Sequence, residues 1–213
     1  MRYKSKVADI GIGVLFTLFF ISIGVILVIN FRGLYKFDMK YLNIAEASGY
    51  SEEEIMDNYN ALIDYCSPFY KGDLKFPTME ASESGLFHFK EVKDIFVTFY
   101  GIAPITGLLL LAIIIYKRRK KETSYLLTSS ITCILLPTVV ALACAFNFDK
   151  TFVLFHKLFF NNDYWLFDPV TDPIITVLPE EFFLHCAIFI VIFVILGSLG
   201  LFLASRITKK RTV

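Results

Sequence analysis

The chain has 213 residues, 56% of them hydrophobic, with a formal net charge of +1 at neutral pH. A mean hydropathy of +0.61 is too apolar for an ordinary soluble domain and typical of a polytopic membrane protein. So small a net charge gives no bulk attraction to nucleic acid, and no Gly-rich phosphate loop or cysteine metal-binding spacing occurs.

Crossing a bilayer as a helix takes about 20 apolar residues at about 1.5 Å each. The first run that qualifies is 10–30, which carries no charge. It is too long for a removable signal peptide, has no small-x-small cleavage site and no lipid-attachment cysteine. Residues 31–94 follow as an extracellular cap segment. Tyr35, Phe37, Met39 and Tyr41 alternate with Lys36, Asp38 and Lys40, and this period of two predicts a strand with one covered face. Ser51 followed by Glu52, Glu53 and Glu54 is a capping box, and Ile55, Tyr59, Leu62, Ile63 and Cys66 recur at helical spacing, predicting an amphipathic helix over 52–66. Lys71-Gly72-Asp73 predicts a turn and Leu74–Met79 a second short strand. A helix over Gly85–Phe99 should run directly into the second span, 95–116, with His88, Val92, Ile95 and Phe99 on one side.

A basic turn, 117–123, leads to the third span, 124–148. The second outward segment, 149–181, contains a helix over Thr151–Phe160 with His156 at its middle, then an aromatic run, Tyr164–Phe167, suited to a membrane interface. Helix starts are signalled at Asp172-Pro173 and Pro179-Glu180. The fourth span is 182–205, with His185 near its start. The fold class expected is therefore membrane α-helical: a four-transmembrane-helix bundle with a small extracellular α+β cap. In the second span Gly101, Ala103 and Gly107 permit close packing or a lipid groove, of which packing is the commoner outcome.

Orientation follows from charge. Arg2, Lys4 and Lys6, then Lys117–Lys121, then Arg206, Lys209, Lys210 and Arg211 all fall on one side, which the positive-inside rule makes cytoplasmic. Segments 31–94 and 149–181 then face out, and they hold 18 of the 20 acidic residues against 9 of the 21 basic ones. The protein is expected in the plasma membrane, multi-pass, with both termini in the cytoplasm.

Of the four cysteines, Cys133, Cys144 and Cys186 lie in apolar runs, so a disulfide framework is not expected. Cys66 reads as a small core residue, with a nucleophile as the sharper alternative. All three histidines, His88, His156 and His185, fall in or beside the outward segments. Imidazole suits proton transfer near neutral pH, yet each could equally cap a helix, anchor an interfacial helix or bond a carbonyl. Three histidines with nearby carboxylates could also hold zinc, though no pair has the spacing that would make this specific. Glu91 and Asp94 could orient His88 or be solvated; Asp168, Asp172, Glu180 and Glu181 read as loop or helix-cap carboxylates.

Leu86-Phe87-His88-Phe89-Lys90-Glu91-Val92-Lys93 resembles a family pattern of a histidine shortly before a Val-Lys pair. A second block resembles the same family: Phe155–Phe160, Trp165–Pro169, Asp172–Ile175 and Leu178–Phe183. The family is the lipoprotein intramolecular transacylases (Lit) of low-GC Gram-positive bacteria, and the resemblance covers essentially the whole chain. Glu91 stands directly before the valine where the family pattern carries Asp. The resemblance implies a reaction in the membrane: the sn-2 acyl chain of a diacylglyceryl-cysteine lipoprotein moves to its N-terminal α-amine, giving the N-acyl lyso form. It implies two essential histidines, at His88 and His156, no role for His185, no cofactor and no metal. The partners implied are the diacylated lipoprotein and membrane lipid, with no nucleic acid; oligomeric state is left open.

Residue chemistry is compatible with this. Amine and ester belong to one substrate, so holding them close replaces a bimolecular encounter and no enzyme nucleophile is required. A base and an oxyanion donor are required, and two histidines supply both. Which is which stays open, with His156 as base and His88 as stabiliser the assignment carried forward. The cap could screen the site from water. Three rival readings remain: a non-enzymatic envelope sensor or partner subunit, a zinc-dependent membrane hydrolase, and a channel or transporter, the last weakened by spans nearly free of ionisable residues.

Overall fold

Every regular element among the described residues, 2–210 of the computed structural model, is helical. Arg211 of the third basic cluster lies outside them. The helices are α1 (Arg2–Asn30), α2 (Arg32–Tyr41), α3 (Ile44–Ser48), α4 (Glu52–Tyr65), α5 (Glu83–Arg119), α6 (Ser124–Phe146), α7 (Phe148–Phe159) and α8 (Glu180–Lys210), with a 3-10 turn at Pro173–Val177. Four stretches, Lys6–Asn30, Glu83–Arg119, Ser124–Phe146 and Glu180–Lys209, are long and apolar enough to cross a membrane. The 37 residues of α5 extend about 55 Å, well beyond a hydrocarbon core of about 30 Å. The fused helix expected from Gly85 into the second span is therefore present, beginning two residues earlier.

The α+β cap is not. The stretch read as a strand from Tyr35 to Tyr41 is α2, whose buried residues are Tyr35, Asp38 and Met39, a spacing of three and four that belongs to a helix face. The alternation is only apparent: Asp38 stands between outward lysines in sequence, whereas its side chain is fully buried. The second expected strand, Leu74–Met79, is irregular. Its backbone finds a side chain instead of a ladder: the Asn58 Oδ1 accepts from the N–H groups of Thr78 and Met79, both at 3.3 Å. The Asn58 Nδ2 donates to Thr78 Oγ1 at 2.6 Å and to the Glu54 carbonyl at 2.7 Å.

The chain folds as two compact units. One takes α1 up to Val25, Phe99–Ala145 and the chain from Ile188 onward. Its core contains Ile12, Phe16, Leu110, Cys133, Val194 and Leu201. Glycines bring helices together here: a Cβ on Gly13 would meet Thr132 at 2.7 Å, and one on Gly197 would meet the Phe20 ring at 2.8 Å. Gly107 packs on Phe19, while Gly101 faces open space. Ser198 donates to the Ser130 carbonyl at 2.7 Å across α8 and α6, as hydroxyls do between membrane helices. Buried Asp9 accepts from Ser124 at 2.7 Å and lies 3.5 Å from the Lys117 ammonium. Leu108, Ile131 and Leu135 are exposed, an apolar surface that suits lipid.

The other unit takes Ile26–Thr98 and Phe146–Ala187. Its core is aromatic. Tyr35 and Tyr59 stack at 3.7 Å between centroids, with the Phe182 ring edge-on to both. The Tyr35 hydroxyl donates to the Val177 carbonyl at 2.7 Å, and burial holds both phenols protonated, far above their ordinary range. The capping box opens α4 as expected, with Ser51 Oγ accepting from the Glu54 N–H and Glu54 Oε2 accepting from the Ser51 N–H. Cys66, closing α4, is buried, and burial pushes its thiol up to about 12. A thiol so reluctant to ionise is a core residue and not a nucleophile.

Candidate active site

Two of the three histidines come together. His88 lies in the second turn of α5 and His156 in the third turn of α7. Their ring centroids are 5.9 Å apart at an interplanar angle of 34°, although 68 residues separate them in sequence. Exposure is 4% for His88 and 8% for His156. The walls are aromatic. Phe160 lies edge-on to His88 at 4.7 Å and Phe167 at 5.5 Å. Phe152 lies 4.3 Å from His156, Trp165 4.8 Å and Phe155 5.5 Å.

The sequence builds this locally. Asn147 ends α6 and caps α7, its side chain accepting from the Lys150 N–H at 2.8 Å. The α7 helix then carries His156 inward, while Leu154, Phe155, Leu158 and Phe159 stay exposed. The His156 Nδ1 lies 2.7 Å from the Phe152 carbonyl, one turn back. A carbonyl accepts only, so Nδ1 carries the proton and, in the neutral ring, Nε2 carries the free lone pair. Burial among aromatic rings lowers the basicity of His156, partly offset by that carbonyl. His88 differs: its Nδ1 is buried and has no hydrogen-bond partner among the described residues.

The carboxylates expected beside His88 do not orient it. Glu91 accepts from the Asn162 Nδ2 with both oxygens, at 3.0 and 3.1 Å, and Asp94 is exposed. Asp168 is a loop carboxylate accepting from the Val170 N–H at 2.9 Å. Asp172 is buried, which its loop position did not reveal. It accepts from the Ser82 N–H at 2.8 Å and from Thr171 Oγ1 at 2.9 Å. It therefore fixes the start of α5, the helix that bears His88. Gly85 makes room for it, since a Cβ there would collide with the Asp172 carboxyl and the Phe167 ring.

His185 does not join the pair of histidines; its Nδ1 lies 2.7 Å from Asp38 Oδ1. Among the described residues no three His, Cys, Asp or Glu side chains gather in a group able to hold a metal ion.

Comparison with known proteins completes the picture. A family model described as lipoprotein intramolecular transacylase Lit matches residues 10–183. The chain belongs to the Lit family. The in meso structure of the membrane integral lipoprotein intramolecular transacylase Lit from Bacillus cereus is 37% identical, with a TM-score of 0.94, over 100% of this chain and 99% of that one. Two variants of the Bacillus cereus protein, each with one histidine replaced, match at TM-scores of 0.87 and 0.88 and identities of 38% and 37%. The shares covered are 99% of this chain against 95% of that one, and 100% against 98%. A comparison with curated proteins returns no match. This Lit-family chain is thus a membrane-integral transacylase, a transferase, and its paired imidazoles lie within the residues that the family model spans.

Proposed function

We propose that the protein moves the sn-2 acyl chain of a diacylglyceryl-cysteine lipoprotein to that lipoprotein's own N-terminal amine, with His156 as base and His88 as oxyanion donor. The observation that carries this reading is the approach of two buried imidazoles, one of them with a defined tautomer, in a chain of the Lit family.

The substrate's α-ammonium, with a reference pKa of about 8, first loses a proton to solvent, which a weakly polar surrounding eases. The free amine attacks the ester carbonyl, forming the C–N bond. His156 Nε2 takes the second amine proton as the tetrahedral intermediate forms, since its Nδ1–H is already committed to Phe152. A neutral His88 N–H faces the developing oxyanion, where a fixed donor in a dry site contributes most. The intermediate then collapses, the C–O bond to glycerol breaks, and His156 returns its proton to the departing glycerol oxygen. The balance is ester plus ammonium giving amide, alcohol and one released proton. Amine and ester share one molecule, so orientation replaces a covalent acyl-enzyme. Phe152, Phe155, Phe160, Phe167 and Trp165 keep water from the ester.

For topology, we infer that residues 31–94 and 149–181 face outward and that the three basic clusters face the cytoplasm. The lipid chains then enter from the outer leaflet.

Expression in a host lacking lipoprotein N-acylation tests the reaction. Mass spectrometry of N-terminal lipopeptides should show diacyl forms converted to N-acyl lyso forms. His88→Ala and His156→Ala should each abolish the product while the protein stays in the membrane. Unchanged diacyl peptides with the wild-type protein present would sink the enzyme reading, and full activity of either variant would sink the assignment.

A further inference from the structure

We propose that Glu91 is a positioning residue for the two-histidine site, acting through Asn162 and Trp165. It lies one turn beyond His88 on α5, yet its carboxylate is turned away from that ring and onto the loop that follows α7. Both oxygens accept from the Asn162 Nδ2, at 3.0 and 3.1 Å. Two further polar groups of Asn162 are also engaged. Its Oδ1 accepts from the Tyr164 N–H at 3.0 Å, and its backbone carbonyl accepts from the Trp165 Nε1–H at 3.1 Å. The amide orientation is therefore fixed by the network: the oxygen is needed by a backbone donor, so the NH2 faces Glu91.

The far end of this chain of contacts is the site itself. The Trp165 indole is buried and lies against the His156 ring at 4.8 Å and 32°. One carboxylate on the helix of His88 thus determines where the indole sits, and the indole forms one wall for His156. The other walls, Phe152, Phe155 and Phe160, come from α7 and its end. None of these ties α7 to α5 by a hydrogen bond. Glu91 and Asn162 do, so the separation between the two imidazoles depends on this clasp. In a reaction whose rate rests on geometry, displacement by about 1 Å can cost about 100-fold.

Trp165 is the chain's single tryptophan, so its emission reports on this contact alone. The full-length protein in lipid nanodiscs is assayed with a diacyl lipopeptide, and Trp165 emission and acrylamide quenching are recorded on the same samples. Asn162→Asp sets a carboxylate against Glu91 without changing size. It should lower kcat by about 10- to 100-fold with little change in KM, shift the emission to the red and increase quenching. Glu91→Gln keeps one acceptor and should do less. The double variant Glu91→Gln/Asn162→Asp restores a donor–acceptor pair in reverse and should recover most of kcat and the original emission. A merely structural role would lower the yield of folded protein and leave kcat per folded molecule unchanged. The proposal is overturned if Asn162→Asp keeps wild-type kcat and emission, or if the double variant is no better than the single ones. The kinetic arm rests on the transacylase reading. Inactivity of the wild-type protein would count against that reading, while emission in the same variants still decides the clasp.

Discussion

The imidazole of His156 has one nitrogen committed to a backbone carbonyl and the other available, and this asymmetry sets its pH behaviour. The working form is the neutral ring. Burial lowers its folded-state pKa below the ordinary 6.5, so the ring stays neutral through neutral pH and becomes protonated only under more acid conditions. Activity is then full above the folded pKa and falls as pH drops through it. The substrate amine adds an acid limb of its own, so the enzyme's limb is read from kcat/KM divided by the fraction of free amine, and it should lie below pH 6.5. An enzyme limb at or above that value, measured by lipopeptide mass spectrometry in pH-jumped membranes alongside a titration of the lipopeptide amine, would rule out His156 as the base. Stability has the same sign: the unfolded chain binds the proton more readily than the folded one, so stability is lost as pH falls below the unfolded value. The residues alone marked all three histidines alike, by their outward position, and the resemblance to the Lit family singled out His88 and His156, which the structure brings together. Asp172 and Asn162 were not legible in the sequence, since a loop carboxylate and a loop amide look alike whether solvated or buried. Only their three-dimensional partners, Ser82 and Glu91, distinguish the cases.

At the scale of elements the sequence was readable wherever one signal dominated. The capping box before α4, the apolar length of the spans and the Pro at the start of the 3-10 turn all gave the right local structure. Reading failed at α2, where ten residues carry both a period of two and a period near 3.6. The decision rests on Asp38, whose burial depends on a partner 147 positions away, His185. That pair joins α2 to the start of α8 within one unit. Asp38 is 0% exposed and, among the described residues, only its Oδ1 is partnered, so it depends on His185 for compensation. Removing one partner of a buried hydrogen bond leaves the other group unsatisfied, at a cost of about 1–3 kcal/mol. His185→Ala should therefore lower the thermal unfolding temperature of the purified protein markedly, yet leave most of the product formed per folded molecule at low temperature. A variant as stable as wild type would show that the Asp38–His185 contact adds nothing to the fold. A variant stable but inactive would move His185 into the reacting site.

On the scale of the whole molecule, charge placement is the decisive feature. Asp9 and Glu122 are the two acidic residues that lie outside the segments 31–94 and 149–181. Both are found beside Lys117, at 3.5 and 2.6 Å, so neither leaves a free negative charge among the basic clusters. The clusters themselves are short, lie next to span ends and therefore act with full weight in setting orientation. An amine and an ester on the outer leaflet can reach His88 and His156 only if 31–94 and 149–181 are extracytoplasmic. Impermeant maleimide labelling tests this with two exposed positions, Lys71→Cys in the cap segment and Lys120→Cys in the turn after α5. The wild-type chain, labelled in parallel, sets the background: Cys66 and Cys133 are buried, and Cys144 and Cys186 are partly buried within the apolar helices α6 and α8. Lys71→Cys should react in intact cells, and Lys120→Cys only after the membrane is opened. The reverse pattern would put the paired imidazoles on the cytoplasmic side, where the proposed substrate amine does not lie, and would refute the reaction and its orientation together.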